Sequence, residues 1–291
     1  MVTLSASGSA DLILGAVAYD QKVVPIWEGF LQYFRSRGLP FDYVLFSNYE
    51  RQVAAHLRGQ IHVAWNSPLA WLQTERLAAR LGRRAEALCM RDTDRDLHSV
   101  ILVRSEAGIE SIASLRGATV AVGARDSPQA TLIPLNLVAN QGLMPDREFR
   151  VRVFDTLVGK HGDHIGGERD AVRALLRREA DAACILDANH LAFAREGSIP
   201  PGSTRVLAQT AAYDHCNFTA IDGVQSGTVA RFRELLLQMS YGDADVRPLL
   251  DLEGLKAWVP GRVTGYAQLS EALDRFGTVD AFLTEVEAQC R

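Results

Sequence analysis

The residues with the clearest chemical potential lie in the stretch ATVAVGARDSPQATLIP, at positions 118–134. Its pattern predicts a short buried strand, a polar turn and a helix that begins near Pro128. Ser127 is a favourable N-cap residue, and proline suits the first helical position. The free N–H groups of such a helix, with the side chains of Gln129 and Thr131, would offer hydrogen-bond donors to an anion. An ordinary capped helix in an α/β connection has the same pattern.

A second group of candidate residues lies in and after a glycine-rich loop. His161, His164 and Glu168 form the pattern H-x2-H-x3-E. Imidazole and carboxylate groups are good ligands for transition metals, but they could equally contact a solute or remain solvated. Near an anion site, Glu168 could meet a cationic group of the ligand, share a metal with the histidines, or point to solvent. We expect His164 and Glu168 to contact the ligand, with the cationic group favoured, and we predict no metal site and no cofactor.

The sequence His215-Cys216-Asn217 follows the second predicted unit of the chain. A cysteine beside a base can act as a nucleophile. Because neighbours on a strand point to opposite faces, we expect His215 in the ligand cleft and Cys216 in the core. We therefore predict no catalytic residue. His98, which precedes a strand near the first crossing between the units, is predicted to contact the ligand.

Five further polar or aromatic residues directly follow predicted strands, namely Tyr19, Tyr49, Asn66, Ser67 and Asp187. The carboxyl ends of parallel strands meet at one edge of a sheet, where open α/β sheets bind their ligands. The tyrosine hydroxyls could bind an oxyanion, and the Asn-Ser pair could cap a helix beside the ligand. A plain helix N-cap also explains the aspartate. We predict that all five contact the ligand.

The elements that must position these side chains alternate between strand and helix along the chain. This order implies parallel sheets with helices on both faces. The chain is expected to cross between two units near Arg104 and Ala212. We predict a first lobe of residues 1–103 plus 213–291, which includes the C-terminal helices, and a second lobe of residues 104–212. The predicted fold class is α/β, with two doubly wound lobes and a ligand cleft between them.

Composition excludes several classes of function. The chain has 291 residues, of which 47% are hydrophobic, and a formal net charge of −4 without any basic block. Nucleic acid is therefore not expected as a partner, and no apolar run approaches the ~20 residues of a membrane helix. The first residues do not resemble a secretory signal, so we expect a cytoplasmic protein if Met1 is the native start and a periplasmic one if a signal was removed. Cys89 and Cys184 lie in apolar runs and are predicted core residues.

Several segments occur in an order that resembles the phosphonate and phosphate substrate-binding proteins of ABC transporters. The strand Ser99–Val103, the turn Leu115–Gly117 and the segment Ser127–Pro134 match the middle of that family. The segments NYERQVAAHLRGQIHVAWNSPLAW and ERDAVRALLRREADAACILD match further elements on either side. The resemblance spans roughly residues 10–225 and implies the type 2 periplasmic-binding fold.

This chain departs from the family pattern at the implied anion site. The family's Ser-Thr-Ser-Gly is replaced by Ser127-Pro128-Gln129-Ala130, which removes one backbone donor, one hydroxyl and the glycine that permits a close backbone approach. Many members carry Ser-His where this chain has Gly167-Glu168. A carboxylate there disfavours a dianion unless a cation lies between them. A ligand with an anionic and a cationic end suits this set better than bare phosphate does.

The resemblance implies a solute-binding protein that closes around a small anionic or zwitterionic ligand for ABC-type uptake or sensing, with a transporter permease as a possible partner. The alternative is a cytoplasmic enzyme on the same fold that acts on a small metabolite with the His, Glu and Cys residues of the cleft. The transporter resemblance favours binding, while the missing signal and the loop rich in His, Glu and Asp favour the enzyme. We expect binding.

Overall fold

A computed structural model describes residues 12–18, 23–155, 165–223, 226–277 and 279–290 of the chain. The strands are β1 (Leu12–Val17), β2 (Phe41–Phe46), β3 (Val63–Asn66), β4 (Ala85–Arg91), β5 (Ser99–Arg104), β6 (Thr119–Val122), β7 (Arg150–Val153), β8 (Ala182–Leu186), β9 (Thr204–Gln209), β10 (Asn217–Ile221) and β11 (Trp258–Pro260). The helices are α1 (Val23–Ser36), α2 (Tyr49–Leu57), α3 (Pro68–Arg80), α4 (Ile133–Asn140), α5 (Ile165–Leu176), α6 (Asp187–Arg195), α7 (Ser226–Leu237), α8 (Arg247–Glu253), α9 (Ala267–Phe276) and α10 (Asp280–Cys290).

The first sheet has the strand order β11-β4-β10-β3-β1-β2. Strand β1 pairs in parallel with β2 and β3, as the alternation of strands and helices predicts. Strand β10, however, lies between β3 and β4 and is antiparallel to both. The expectation of a parallel sheet is therefore wrong here, because the chain returns from the second sheet and inserts a strand in the opposite direction.

The second sheet has the strand order β7-β6-β8-β5-β9. Strand β6 pairs in parallel with β7 and β8, whereas β5 is antiparallel to β8 and β9. The predicted boundary at residue 103 assigns β5 to the first lobe, but its hydrogen bonds place it in the second sheet. The chain thus passes to the second sheet between β4 and β5 and returns between β9 and β10.

Hydrophobic side chains cover both faces of the second sheet, as the continuous apolar runs of its strands predict. In β5, Val100 and Leu102 pack in one cluster of buried residues, while Ile101 and Val103 pack in another. In the first lobe, Trp27 and Trp71 belong to two separate clusters of buried residues. Within the described residues, no helix combines the length and apolar character that crossing a membrane requires.

Two antiparallel segments connect the sheets. Leu97 and Tyr213 exchange backbone hydrogen bonds of 2.8 and 2.9 Å. Arg262 donates two hydrogen bonds of 2.6 Å to the buried Asp214 of one segment and one of 2.6 Å to Asp96 of the other. The Arg262 guanidinium, in the segment that follows β11, therefore binds both of the segments that connect the sheets.

Some local elements of the structure differ from what the sequence predicts. Helix α8 and strand β11 are short and were not predicted. Residues Ile112–Leu115 form a 3₁₀ turn, and the helix expected from Pro128 starts as a π-helical turn, Pro128–Leu132, that continues into α4.

Candidate functional site

The predicted anion-binding turn lies at the carboxyl end of β6, where the chain enters the π-helical turn before α4. Ser127 is the N-cap, and its Oγ accepts a hydrogen bond of 3.2 Å from the backbone N–H of Ala130. The hydroxyl of Thr131 donates to the carbonyl oxygen of Ala124 at 2.7 Å. A hydroxyl has only one hydrogen to donate. Thr131 therefore uses its donor inside the fold, while the Ser127 hydroxyl donates to no acceptor among the described residues.

Glu168 lies beside this turn because Gly167 allows α5 to approach the sheet closely, while Gly123 allows the turn itself to close tightly. A Cβ atom on Gly167 would lie 2.5 Å from the carbonyl oxygen of Phe154, and one on Gly123 would lie 2.8 Å from the Cβ of Ala130. Neither distance is compatible with a larger residue in the same backbone positions. The start of α5 is thus held against the ends of β6 and β7.

The Glu168 carboxyl group is fully buried. Its Oε2 accepts hydrogen bonds from the Leu186 N–H at 2.9 Å and the Asn189 side-chain amide at 2.8 Å. Its Oε1 has no hydrogen-bond partner within the part of the chain that the structure describes. Burial raises the pKa of Glu168 above its ordinary value, although the Asn189 amide, the Leu186 N–H and the nearby Gln129 side chain oppose the shift. The possibility that Glu168 points to solvent is therefore wrong.

A buried hydrogen-bond chain joins this turn to the connections between the sheets. The hydroxyl of Ser99, at the start of β5, lies 2.5 Å from the Gln129 carbonyl oxygen and donates to it. The same hydroxyl lies 2.8 Å from the phenol oxygen of Tyr213. Sequence reasoning missed both residues, although a serine that begins an otherwise apolar strand was a usable signal.

Arg125 was also missed. It lies in the turn between β6 and Ser127, its side chain is exposed, and it makes no ion pair with any described residue. A cationic side chain in the turn before a helix N-terminus adds to the favourable field that the helix offers an anion. The position in the sequence, two residues before a predicted N-cap, could have identified it.

His98 and Asp187 lie close to this group. The backbone N–H of Asp187 donates to the His98 carbonyl oxygen at 3.0 Å, and the His98 Nδ1 lies 2.9 Å from the Thr210 carbonyl oxygen. Asp187 is the first residue of α6, and its carboxylate accepts from the N–H of Ala188 at 2.6 Å. The structure thus brings together Ser127, Gln129, Thr131, Glu168, Asp187 and His98 at the end of the second sheet.

His215 and Cys216 lie in the returning connection, just before β10. The His215 Nδ1 lies 3.1 Å from the Cys216 Sγ and 3.4 Å from an oxygen of Asp94. The expectation that Cys216 lies in the core is confirmed, because it belongs to a cluster of buried residues. The expectation that the two side chains point to opposite faces is wrong, because the strand geometry on which it rested begins only at Asn217. Burial would lower the pKa of His215, but Cys216 and Asp94 together raise it well above its ordinary value.

The remaining predicted contacts belong to the first lobe and have internal roles. Asn66 accepts from the Gln52 side chain at 2.8 Å and donates to the Thr219 hydroxyl at 2.9 Å. Ser67 caps α3 by accepting from the N–H of Ala70 at 3.2 Å, and Tyr49 is buried in the core. Their contact with a ligand stays a prediction.

Three predicted residues, Tyr19, His161 and His164, lie outside the described residues. The structure therefore describes no part of the proposed histidine pair beside Glu168.

Two cavities described in the structure lie away from the candidate site. One, of about 590 Å³, is lined by Leu88, Arg233 and Leu237 among other residues of the first lobe. The other, of about 670 Å³, lies between α2 and α10. Neither is lined by any of the residues gathered around Glu168.

Comparison with known proteins identifies relatives of the whole fold. A family model described as "ABC transporter, phosphonate, periplasmic substrate-binding protein" matches residues 16–266. No curated protein matches the sequence. Among solved structures, PhnD1 of Prochlorococcus marinus in complex with methylphosphonate is 15% identical, with a TM-score of 0.65 over 91% of this chain and 98% of that one.

Two further structures share the fold. XAC2383 of Xanthomonas citri, bound to ATP, is 19% identical, with a TM-score of 0.66 over 96% of this chain and 99% of that one. The periplasmic aliphatic sulphonate binding protein SsuA of Escherichia coli is 16% identical, with a TM-score of 0.53 over 97% and 92% of the two chains. The predicted fold class, two α/β lobes of the type 2 periplasmic-binding kind, is confirmed.

Proposed function

Because this chain belongs to the family of periplasmic substrate-binding proteins of phosphonate ABC transporters, we propose that it closes around one small zwitterionic oxyanion of the amino-phosphonate class. Members of this family are the substrate-binding components of ABC importers, so a small-molecule ligand and a permease partner follow for the family as a whole. Delivery from the periplasm to a permease is the role we propose for this chain. Family membership does not favour the alternative of an enzyme.

The anionic end of the ligand is proposed to bind at the turn before α4. Arg125 supplies an exposed positive charge there, and Ser127 retains a hydroxyl hydrogen. Hydrogen bonds to a charged group are each worth about 1.5–3 kcal/mol. The residues at positions 128–131 are neutral and would not by themselves balance the charge of a doubly negative ligand. The positive charge of Arg125 is therefore important for binding the anionic end.

The single observation that carries the zwitterionic assignment is the buried Glu168 carboxyl, whose Oε1 lacks a partner among the described residues. An unsatisfied buried acceptor costs several kcal/mol unless a donor reaches it. An ammonium group on the ligand would supply both the donor and the opposite charge. Binding would then return the pKa of Glu168 toward its ordinary range, because a nearby cation favours the carboxylate.

Calorimetry with two ligands that differ only in an amino group tests this proposal. We expect the wild-type protein, in phosphate-free buffer, to bind aminomethylphosphonate at least about tenfold more tightly than methylphosphonate. Glu168→Gln should bind both with similar affinity, whereas the control Glu110→Gln, an exposed residue of the second lobe, should keep the preference. Equal binding of the two ligands by the wild type would contradict the zwitterionic assignment alone.

Small-angle scattering tests closure with the same ligands. We expect the radius of gyration to fall when aminomethylphosphonate is added, as two lobes close around it. Absence of both binding and compaction with phosphonates, sulfonates and phosphate would overturn the proposed function itself.

A further inference from the structure

Three side chains with metal-binding groups converge beside the connections between the two sheets. One carboxylate oxygen of Asp94, one ring nitrogen of His215 and the Sγ of Cys216 all lie within 4.8 Å of one another. The nitrogen lies 3.1 Å from the sulfur and 3.4 Å from the oxygen. The backbone N–H of His215 donates to the carbonyl oxygen of Asp94 at 2.8 Å, which holds the two segments in register.

The Nδ1 atom of His215 faces both the sulfur of Cys216 and the carboxylate of Asp94. An imidazole nitrogen carries either one hydrogen or one lone pair, so Nδ1 cannot make a linear hydrogen bond to the sulfur and to the carboxylate at once. All three groups are also shielded, with side-chain exposures of 3% for Asp94 and 14% for His215 and a residue exposure of 6% for Cys216. A bound cation would accept a lone pair from each of the three atoms.

We propose that Asp94, His215 and Cys216 bind one thiophilic divalent cation of the Zn²⁺ type. Bond lengths of about 2.0–2.3 Å in a tetrahedral site place ligand atoms about 3.3–3.6 Å apart, close to the separations of the nitrogen from its two neighbours. The thiol proton passes to solvent when the sulfur binds the cation. The described residues supply three ligands, so the fourth position is open to water.

Arg91 donates hydrogen bonds to both carboxylate oxygens of Asp94 and so orients this proposed ligand. Its Nε lies 2.6 Å from one carboxylate oxygen, and its Nη2 lies 2.9 Å from the other, Oδ1. An oxygen of a carboxylate can bind a metal and accept a hydrogen bond together, as metal-ligating carboxylates commonly do. With the cation, the thiolate, Asp94, Arg91 and the buried Glu253 beside it, the formal charges sum to zero.

This site shares no residue with the one proposed for the solute, although His215 acts electrostatically on Glu168. Its ligands come from the connections of the first lobe, whereas the solute site is built on α5 and the start of α4. His215, predicted from sequence to contact the ligand, is assigned here to the cation. Zinc binding can therefore be measured without any phosphonate, and its failure would leave the proposed transport function untouched.

The test measures metal binding to tag-free protein that has been stripped with a chelator. In competition with a chromophoric chelator, we expect the wild type to bind one Zn²⁺ per chain. Cys216→Ser should weaken binding by more than about 100-fold, the upper end of the loss seen for outer-shell partners, and Arg91→Lys by about 10–100-fold. The matched control Cys290→Ser, which removes the half-buried thiol of α10, should bind as the wild type does.

Cobalt substitution keeps the test decisive if Cys216→Ser fails to fold, which circular dichroism will show. We expect Co²⁺ to give a thiolate charge-transfer absorption in the wild type and in Cys290→Ser. Stoichiometric binding without that absorption, equal binding by folded Cys216→Ser, or no stoichiometric binding by the wild type would each overturn the proposal.

Discussion

Ser127 and Thr131 carry the same functional group one helical turn apart, yet their hydroxyls have different capacities. The Ser127 hydroxyl accepts a hydrogen bond and donates none to the described residues, whereas the Thr131 hydroxyl already donates to the Ala124 carbonyl oxygen. A sequence motif that counts hydroxyls treats them as equal. The hydrogen-bond partners decide which one can donate to an anion.

We therefore expect Ser127→Ala to weaken binding of aminomethylphosphonate by about 1–3 kcal/mol, measured by calorimetry, because one donor to a charged group is lost. Its free energy of unfolding should fall by only about 1 kcal/mol through loss of the cap. Thr131→Val should show the opposite balance, with reduced stability and little change in affinity. Unchanged affinity in Ser127→Ala would place the anion elsewhere.

The raised pKa of Glu168 predicts how the stability of the ligand-free protein depends on pH. The folded carboxyl keeps its proton at pH values above 4.5, where the unfolded one has lost it. Over that interval the folded state binds more protons, so the free energy of unfolding decreases as the pH rises.

Glu168→Gln removes this titration and keeps an oxygen that can accept from Leu186 and Asn189. We expect denaturant unfolding to show the variant more stable than the wild type at about pH 8 and to show the difference shrinking as the pH falls toward 4.5. A constant difference at every pH would indicate that this carboxyl is already ionised in the ligand-free protein.

Local sequence predicted one half of the site and not the other. The Ser-Pro pair identified the cap of the turn before α4 correctly, since capping depends on neighbours in the chain. The burial of Glu168 depends on donors at Leu186 and Asn189, which are distant in sequence and reach it only through the fold. His215 and Cys216 were treated as strand residues, so their shared position was missed.

At the scale of elements, the site depends on how closely α5 approaches the second sheet. Gly167 makes that approach possible, since a Cβ there would lie 2.5 Å from the Phe154 carbonyl oxygen. Gly227, in α7, has no atom within 4 Å of the equivalent position. The two glycines provide a matched pair for the same substitution.

We expect Gly167→Ala to displace the start of α5 and to reduce the affinity for aminomethylphosphonate by at least about tenfold, because Glu168 is the next residue. Gly227→Ala should leave affinity unchanged and stabilise the helix by up to about 1 kcal/mol. Calorimetry and thermal unfolding measure the two effects. Equal affinities in both variants would show that the approach of α5 does not position the carboxyl.

Most elements could be predicted because each carries its own hydrophobic period and its own stop signal. The strand expected at Ser99–Val103 forms β5, and the short strand expected within residues 118–134 forms β6. Strand order could not be predicted in the same way. Nothing in the five residues of β10 indicates that they insert between β3 and β4, because pairing depends on strands far away in the chain.

At the scale of the molecule, the two lobes are joined by segments that share one guanidinium. Arg262 is 34% exposed, but its partner Asp214 is completely buried. Removing one partner of a buried ion pair leaves the other charge uncompensated.

We expect Arg262→Gln to lower the free energy of unfolding by about 3 kcal/mol, measured by denaturant unfolding. The control Arg275→Gln removes the pair with Glu271, whose carboxylate side chain is 48% exposed, and should cost no more than about 1 kcal/mol. Similar losses in the two variants would mean that the connections between the sheets gain no special stability from Arg262.

The insertion of β10 also constrains the order in which the chain can assemble during synthesis. Every strand of the second sheet, from β5 to β9, is complete before Asn217 leaves the ribosome. The first sheet, although its first four strands are made earlier, lacks an interior strand until residue 221 has emerged. Until β10 is inserted, β3 and β4 have unpaired edges, and such edges are sites for aggregation. The lobe that begins the chain is therefore the last to have all of its strands available, and a chain that ends before β10 leaves the facing edges of β3 and β4 unpaired.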